Sequence, residues 1–175
     1  MHGKLTRGMS TLTTIDRLDL ALLRALSEDP RVTISELADR LGVARNTAHA
    51  RFGRLTDSGV LGFDARVDLE RLGLPVSAYI HLQLAQGALQ DVIDALARMP
   101  QILEVCTTTG ASDALARVAC HSHAALQSSV QEILTIRGVV RTTTEIALTT
   151  PVRHRIGPLL ATLDETAAPT PHVRR

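Results

Sequence analysis

The residues best suited to chemistry lie between positions 45 and 57, where asparagine, histidine and arginine recur at helical spacing. If Ala48 faces inward, a rotation of about 100° per residue places Asn46 on the opposite face, flanked by His49 and Arg54. Asparagine and arginine read base edges through paired hydrogen bonds. The pattern therefore predicts a DNA-reading helix, although a solvated surface helix would carry similar residues. The candidate DNA-binding residues are Arg45, Asn46, Thr47, His49, Arg51 and Arg54.

Within this set, we expect Asn46, His49 and Arg54 to face the bases, and Arg45 and Arg51 to lie nearer the phosphate backbone. Arg51 stands at the edge of the inward stripe. An ion pair with an acidic neighbour, holding the fold together, is therefore an alternative role for it.

A turn and a second helix precede this candidate reading helix. Thr33 and Glu36 have the spacing of a capping box, so a helix is predicted to begin there. Gly42 ends it, because glycine adopts left-handed backbone angles without steric cost. The two helices form a helix-turn-helix, and a helix from about Thr14 to Ser27 is predicted to complete its core.

The segment after the helix-turn-helix contains two stretches of different composition. Residues 60–67 have β character around Phe63 and are predicted to form a wing or a linking strand. Residues 68–75 contain Gly73 and Pro75 and are predicted to form a hinge.

The second half of the chain contains an internal repeat. Residues 100–109 resemble residues 138–144, and each copy follows an amphipathic helix that itself follows a strand, Ser77–Leu84 or Ala114–Cys120. Two strand-helix-strand units predict an α+β, ferredoxin-like βαββαβ sandwich. Helices on one face leave the other face open, which favours dimerisation through it.

A loop between the second and third predicted strands is the best small-molecule candidate. Gly110 permits a tight backbone path, Asp113 offers a carboxylate for an ammonium group, and hydroxyls with free amides offer a site for a carboxylate. This combination suits an amino acid, although the same residues also form ordinary turns. The candidate effector-binding residues are Thr107, Thr108, Thr109, Gly110, Ser112 and Asp113.

The sequence gives weaker support for a metal site, for an enzyme or for an RNA-binding sheet. Cys120 and His121 are adjacent and would point to opposite faces of a strand, and His123 is predicted to open a helix, so no metal site is assigned. Cys106 and Cys120 are interpreted as small buried residues. A nucleophile elbow is missing, so no enzyme is predicted. Tyr79 is the only aromatic residue of the second half, which excludes base stacking on an RNA-binding sheet.

The composition is compatible with a globular DNA-binding protein but does not by itself indicate one. The chain has 175 residues, 45% of them apolar, and a net charge of +1. A mild basic excess lies in the first 63 residues, which predicts modest non-specific DNA affinity that a dimer would reinforce. Neither a signal peptide nor a long apolar run is found, so a cytoplasmic protein with no membrane partner is expected.

The order of several short motifs resembles the Lrp/AsnC family of transcription regulators over about residues 14–148. The family usually has a capping residue at Ala44 and a basic or polar residue at Gly53, so the chain departs there. The resemblance implies an effector-binding RAM domain that dimerises, with a Gly-x-x-Asp near an inter-subunit cleft, here Gly110 and Asp113. The matching motifs are Ile15-Asp16-Arg17-Leu18-Asp19, Leu22-Leu23, Glu36-Leu37-Ala38, Leu41-Gly42-Val43, Arg51, Arg54-Leu55 and Gly59-Val60-Leu61.

The chain is therefore interpreted as a sequence-specific regulator that binds double-stranded DNA, associates with itself as a dimer, tetramer or octamer, needs no cofactor and senses an amino acid or related metabolite. An effector-independent oligomer that organises DNA is the alternative. The expected divisions are an arm (1–12), the helix-turn-helix domain (13–63), a linker strand and hinge (64–75), the sandwich (76–150) and a C-terminal extension (151–175), disordered from about 166.

Overall fold

A computed structural model describes residues 14–166, which divide into two compact units. The first contains residues 14–65 and 153–166, and the second is Arg66–Val152. The arm expected over residues 1–12, and residues 167–175 of the tail expected to be disordered, lie outside the described residues. The elements in chain order are α1 (Arg17–Glu28), α2 (Ile34–Leu41), α3 (Arg45–Asp57), β1 (Val76–Leu84), α4 (Leu89–Leu96), β2 (Ile102–Thr107), β3 (Ala114–Cys120), α5 (His123–Thr135), β4 (Val139–Ile146) and α6 (Gly157–Thr166).

The helix-turn-helix forms where its capping residues predict it. The Thr33 hydroxyl accepts a bond from the Glu36 N–H at 3.3 Å, and the Glu36 carboxylate accepts one from the Thr33 N–H at 2.8 Å. Gly42 ends α2 with φ +64°, in the left-handed region that favours glycine. Ala44 stands at the N-cap of α3 and supplies no side-chain bond, so α3 begins without the cap that the family usually has.

The core of the first unit is formed by α1, α2 and α3. Leu22, Leu37 and Leu55 are fully buried within it. Helix α1 begins three residues later than predicted, because Asp16 caps it and Asp19 completes a capping box. This cap leaves Thr14 and Ile15 outside the helix.

Residues 60–67 were predicted to form a wing or a linking strand, and the prediction of a strand is wrong. No strand occurs between α3 and β1; residues 63–68 have no regular structure, and a turn closes at residues 68–74. A β-rich segment needs a neighbouring strand to pair its backbone groups, and among the described residues this one has none. Phe63 instead stacks on Phe52 of α3, with ring centroids 6.0 Å apart.

The second unit is the predicted βαββαβ sandwich. Its four strands are antiparallel in the order β2-β3-β1-β4. Burial alternates along β1, so that Ala78, Ile80 and Leu82 face the helices and the intervening residues face the open side. Val92 and Leu96 of α4 and Leu126 and Ile133 of α5 complete the core over one face only.

Gly138 brings β4 close to α4. Its φ is +100°, and a Cβ there would overlap the Cβ of Ala88. The Ala85 N–H donates to the Gly138 carbonyl at 2.8 Å. Glycine thus fixes where β4 begins, at Val139, two residues before Arg141.

The C-terminal extension contains a helix that the sequence analysis did not predict. Helix α6 belongs to the first unit and packs against α1. Within the described part of the chain, none of the helices is long and apolar enough to span a membrane.

Candidate DNA-binding helix and ligand pocket

The outward face of α3 carries a small number of polar groups that are suited to contacts with DNA. Ala48 and Leu55 are buried, whereas Asn46, Thr47 and His49 are exposed. Arg45 is also exposed and makes no ion pair with any other described residue. The exposed amino-terminal half of α3 therefore offers an amide, a hydroxyl, an imidazole and one cation, all suited to contacts with bases and phosphates.

Two arginines of α3 belong to a different network. The Nη1 atom of Arg51 lies 2.6 Å from Oδ2 of Asp16 and 3.1 Å from Oδ1 of Asp19. The Nη2 atom of Arg54 pairs with Oδ2 of Asp19, and its Nη1 donates to the Thr14 carbonyl at 3.1 Å. Asp19 is fully buried, so both of its oxygens find cationic donors away from water.

The two aspartates also bond to each other's backbone. The Asp19 N–H donates to Oδ1 of Asp16, and the Asp16 N–H donates to Oδ2 of Asp19, both at 3.0 Å. The same pair that begins α1 therefore holds α3 through Arg51 and Arg54. Two motif segments that lie more than thirty positions apart in sequence form one clamp, which we call the aspartate-arginine clamp.

The clamp shifts two ionisation equilibria in directions that stabilise it. Burial alone would raise the pKa of Asp16, but the Asp19 N–H and the Arg51 guanidinium outweigh burial and lower it. Burial alone would lower the pKa of Arg51, but bonds to Asp16 and Asp19 raise it. Because the folded carboxyl pKa is lowered, the stability that Asp16 contributes is complete above the ordinary value of 3.8 and is lost as the pH falls below it.

The clamp corrects the predicted role of Arg54. Helical spacing placed Arg54 beside the reading face, but its guanidinium turns back to Asp19. A long, flexible side chain reaches well beyond the direction of its Cα–Cβ bond. For Arg51, the structure shows the alternative considered from the sequence, a pair with acidic neighbours.

In the second unit, the predicted effector loop is held by bonds within the loop and by bonds to β1. The Thr108 hydroxyl donates to the Ser112 carbonyl at 2.6 Å. The Asp113 carboxylate accepts a bond from the Leu84 N–H at 2.7 Å, and the Asp113 N–H donates to the Leu82 carbonyl at 2.9 Å. Asp113 therefore joins the start of β3 to the end of β1, and one of its two carboxylate oxygens is already engaged.

A pocket lies beside this loop on the open face of the sheet. Its volume is about 320 Å³, which is the lower end of the range for small-molecule sites, roughly 300–1,000 Å³. Ser112 is the only predicted effector residue that lines it; Thr107, Thr108, Thr109, Gly110 and Asp113 do not. The lining residues are His81, Gln83, Ala111, Ser112, Arg141, Thr143 and Glu145.

The pocket separates opposite charges. Gln83 of β1 pairs with Arg141 of the edge strand β4, and His81 pairs with Thr143. Arg141 makes no ion pair within the described residues, whereas Glu145 lies 3.6 Å from Nε2 of His81. These residues were not predicted from the sequence, although polar side chains at every second position of β1 and β4 are the signal that indicates them.

The cysteine and histidine cluster does not converge. Cys120 is buried, as predicted, with its sulfur 3.8 Å from the Ser129 hydroxyl, whereas His121 and His123 are exposed. Across residues 14–166, no three potential metal-binding side chains come together. Cys106 was expected to be buried but is exposed, because β2 is an edge strand and Cys106 lies on the open face.

Each of the two units matches a known protein family. A family model described as the Lrp/AsnC ligand binding domain matches residues 77–156, and one described as winged helix-turn-helix DNA-binding matches residues 15–61. The regulator FL11 of Pyrococcus horikoshii is 32% identical over 137 residues, which cover 78% of this chain and 91% of FL11. The two ranges matched by the family models include the capping boxes, the clamp and both sides of the pocket.

Solved structures show the same fold. The structure of AsnC from Escherichia coli is 30% identical, with a TM-score of 0.77, over 83% of this chain and 100% of AsnC. A Neisseria meningitidis regulator solved as a complex with L-Met shares the fold, with a TM-score of 0.76 at 24% identity over 82% of this chain and 96% of that one.

The helix-turn-helix and the sandwich together define a DNA-binding transcriptional regulator with a ligand-binding domain. The chain belongs to the Lrp/AsnC family. Its relatives are regulators rather than enzymes, in agreement with the absence of catalysis expected from the sequence.

Proposed function

We propose that this regulator reads base edges through Asn46 and His49 of α3, with Arg45 and Thr47 contacting the phosphate backbone. The observation that supports this division is the clamp, because it engages Arg51 and Arg54 and leaves the amino-terminal half of α3 exposed. In helix-turn-helix proteins, the first turns of the second helix contact base edges. Arg51 and Arg54 then fix the angle at which these turns are presented.

Replacing Asn46 with alanine should weaken discrimination between bases by about 1–3 kcal/mol, the energy of one bidentate contact with a base. Sequence preference is measured by selecting duplexes from a random library with the parent and the variant. Thr47→Ala is the matched control, since losing a phosphate contact lowers affinity for all sequences alike. Recovery of the parent's preferred sequence, with undiminished preference, by Asn46→Ala would show that Asn46 does not read bases.

The open sheet face supports self-association. Helices α4 and α5 cover one face only, and the other exposes Tyr79 at 37% among polar side chains. We therefore propose that two copies associate through this face, which would also close the pocket. A dimer would present two copies of α3 to symmetric half-sites.

Light scattering of the full chain at micromolar concentration should give twice the mass of 18.9 kDa or a higher multiple. Substituting Tyr79 with glutamate should shift the mass towards that of the monomer, since it places a charge in the middle of a desolvated face. Leu72, which is 64% exposed in the segment before β1, provides the control as Leu72→Glu. A monomeric parent, or equal masses of the two variants, would contradict association through this face.

We also propose that the pocket binds an amino-acid effector. Arg141 suits the carboxylate, and the Gln83 amide oxygen and Thr143 hydroxyl can accept bonds from the ammonium group. Arg141 and Glu145 are four residues apart, about 13 Å along an extended strand. The carboxylate and ammonium of one amino acid are too close together to span that separation, so the Glu145 and His81 end faces the ligand's side chain.

A further inference from the structure

Helix α6 lies outside the part of the chain that the family models match. Those matches end at residues 61 and 156, whereas α6 is Gly157–Thr166. E. coli AsnC is matched in full by 83% of this chain, so part of this chain extends beyond AsnC. The two family models therefore do not describe the packing of α6 on α1.

Helix α1 has two buried faces. Leu22 and Leu26 belong to the helix-turn-helix core, whereas Leu20, only 4% exposed, does not. At about 100° per residue, Leu20 and Ser27 share a face that is roughly opposite to Leu22. Leu20 therefore needs cover on the side of α1 away from Leu22.

Helix α6 has the contacts to provide that cover. Leu160 is 7% exposed and, like Leu20, belongs to neither of the two main core clusters. A Cβ on Gly157 would lie 3.5 Å from the Ser27 hydroxyl, so the first turn of α6 lies against the same face of α1. Pro158 at the start of the helix is favourable there, because a first-turn N–H has no partner within the helix.

We infer that α6 is a fourth helix of the DNA-binding domain and a positioning element for the recognition helix α3, acting through α1. Helix α6 packs on α1, and the N-terminal end of α1 carries Asp16 and Asp19, which hold Arg51 and Arg54 of α3. Loss of α6 would therefore loosen the clamp without touching any residue that faces DNA.

Two chain segments connect the ligand-binding domain to the DNA-binding unit. Residues 147–156 join β4 to α6, and residues 58–75 join α3 to β1. Within the sheet, the start of β1 and the end of β4 are neighbours, since Ala78 pairs with Ile146 and the Ala147 N–H donates to the Ser77 carbonyl at 2.9 Å. Both connections therefore leave the sandwich at neighbouring positions.

The test is amide hydrogen exchange of the full chain, which needs neither the operator nor the effector. Leu160→Asp buries a charge between α6 and α1, and should speed exchange of protected amides in α1 and α3 by about tenfold or more. Leu159→Asp is the matched control, because Leu159 is the adjacent residue and is 55% exposed. Amides of β1 and β4 serve as the internal reference and should not change.

The DNA readout uses a duplex that the parent enriches from a random library. Leu160→Asp should weaken binding at least tenfold with the base preference retained, whereas Leu159→Asp should not. Equal exchange in α1 for the two variants would overturn the inference. A rise in exchange that extends equally to β1 and β4 in both Leu160→Asp and the milder Leu160→Ala would overturn it too, since α6 would then support the chain as a whole.

Discussion

Replacing Asp19 with asparagine should destabilise the DNA-binding unit by about 3 kcal/mol, the lower end of the range for breaking a buried ion pair. Asparagine keeps the shape of the side chain but removes the charge that faces Arg51 and Arg54. Its NH₂ group would also face the N–H donors of these arginines, and two donors cannot form a hydrogen bond with each other. The lower value is chosen because the arginine side chains are 25% and 39% exposed, so water partly compensates.

Urea unfolding followed by circular dichroism measures this effect, because four of the six described helices belong to this unit. Asp39→Asn removes the same charge from an exposed position of α2 and should stay within about 0.5 kcal/mol of the parent. Asp19→Asn should also weaken DNA binding for all sequences alike, unlike Asn46→Ala, because it misplaces α3 as a whole. Coincident unfolding curves for the two aspartate variants would mean that the clamp adds nothing to stability.

The local signals in the sequence predicted the fold well where one chemical rule decides the outcome. Thr33 with Glu36 predicts the start of α2, and Gly42 predicts its end, because capping and left-handed backbone depend on the residue itself. The internal repeat predicted the sandwich, since each copy supplies one helix and two strands. These features need no knowledge of distant contacts.

The wrong predictions concern residues whose positions depend on partners far away in the sequence. Arg54 has an outward angle on its helix, yet Asp19, far away in sequence, determines where its guanidinium lies. Residues 60–67 have β composition but find no partner strand among the described residues. Helix α6 did carry a signal, with Pro158 near its start and Leu160 and Leu163 at helical spacing, but it is short and lies in the extension beyond the motifs.

The candidate ligand site shows the same limit. The sequence drew attention to the loop at Gly110 because glycine, threonine and aspartate stand together there. The pocket is instead formed mainly by β1 and β4, whose pairing brings Gln83 beside Arg141 across 58 positions of sequence. Only the strand register shows that these side chains share one face.

Replacing Arg141 with alanine should abolish the response to an amino-acid effector while leaving effector-free DNA binding nearly intact. A ligand at a hundredfold excess over its Kd stabilises the folded state by about 2.7 kcal/mol. For a unit of this size, that corresponds to a rise in Tm of roughly 10 °C or more. A thermal-shift screen of the parent against the amino acids identifies the ligand, and the same ligand is then applied to Arg141→Ala.

Two further variants make the result decisive. Arg137→Ala removes a positive charge four residues before Arg141 and outside the pocket, so its response should match that of the parent. Asp113→Asn keeps an oxygen for the Leu84 N–H but loses the charge that the sequence analysis assigned to the ligand's ammonium group. If Asp113→Asn loses the response and Arg141→Ala keeps it, the effector binds at the loop rather than in the pocket. If no amino acid shifts the parent, the sheet face serves assembly alone, and the protein organises DNA without an amino-acid effector.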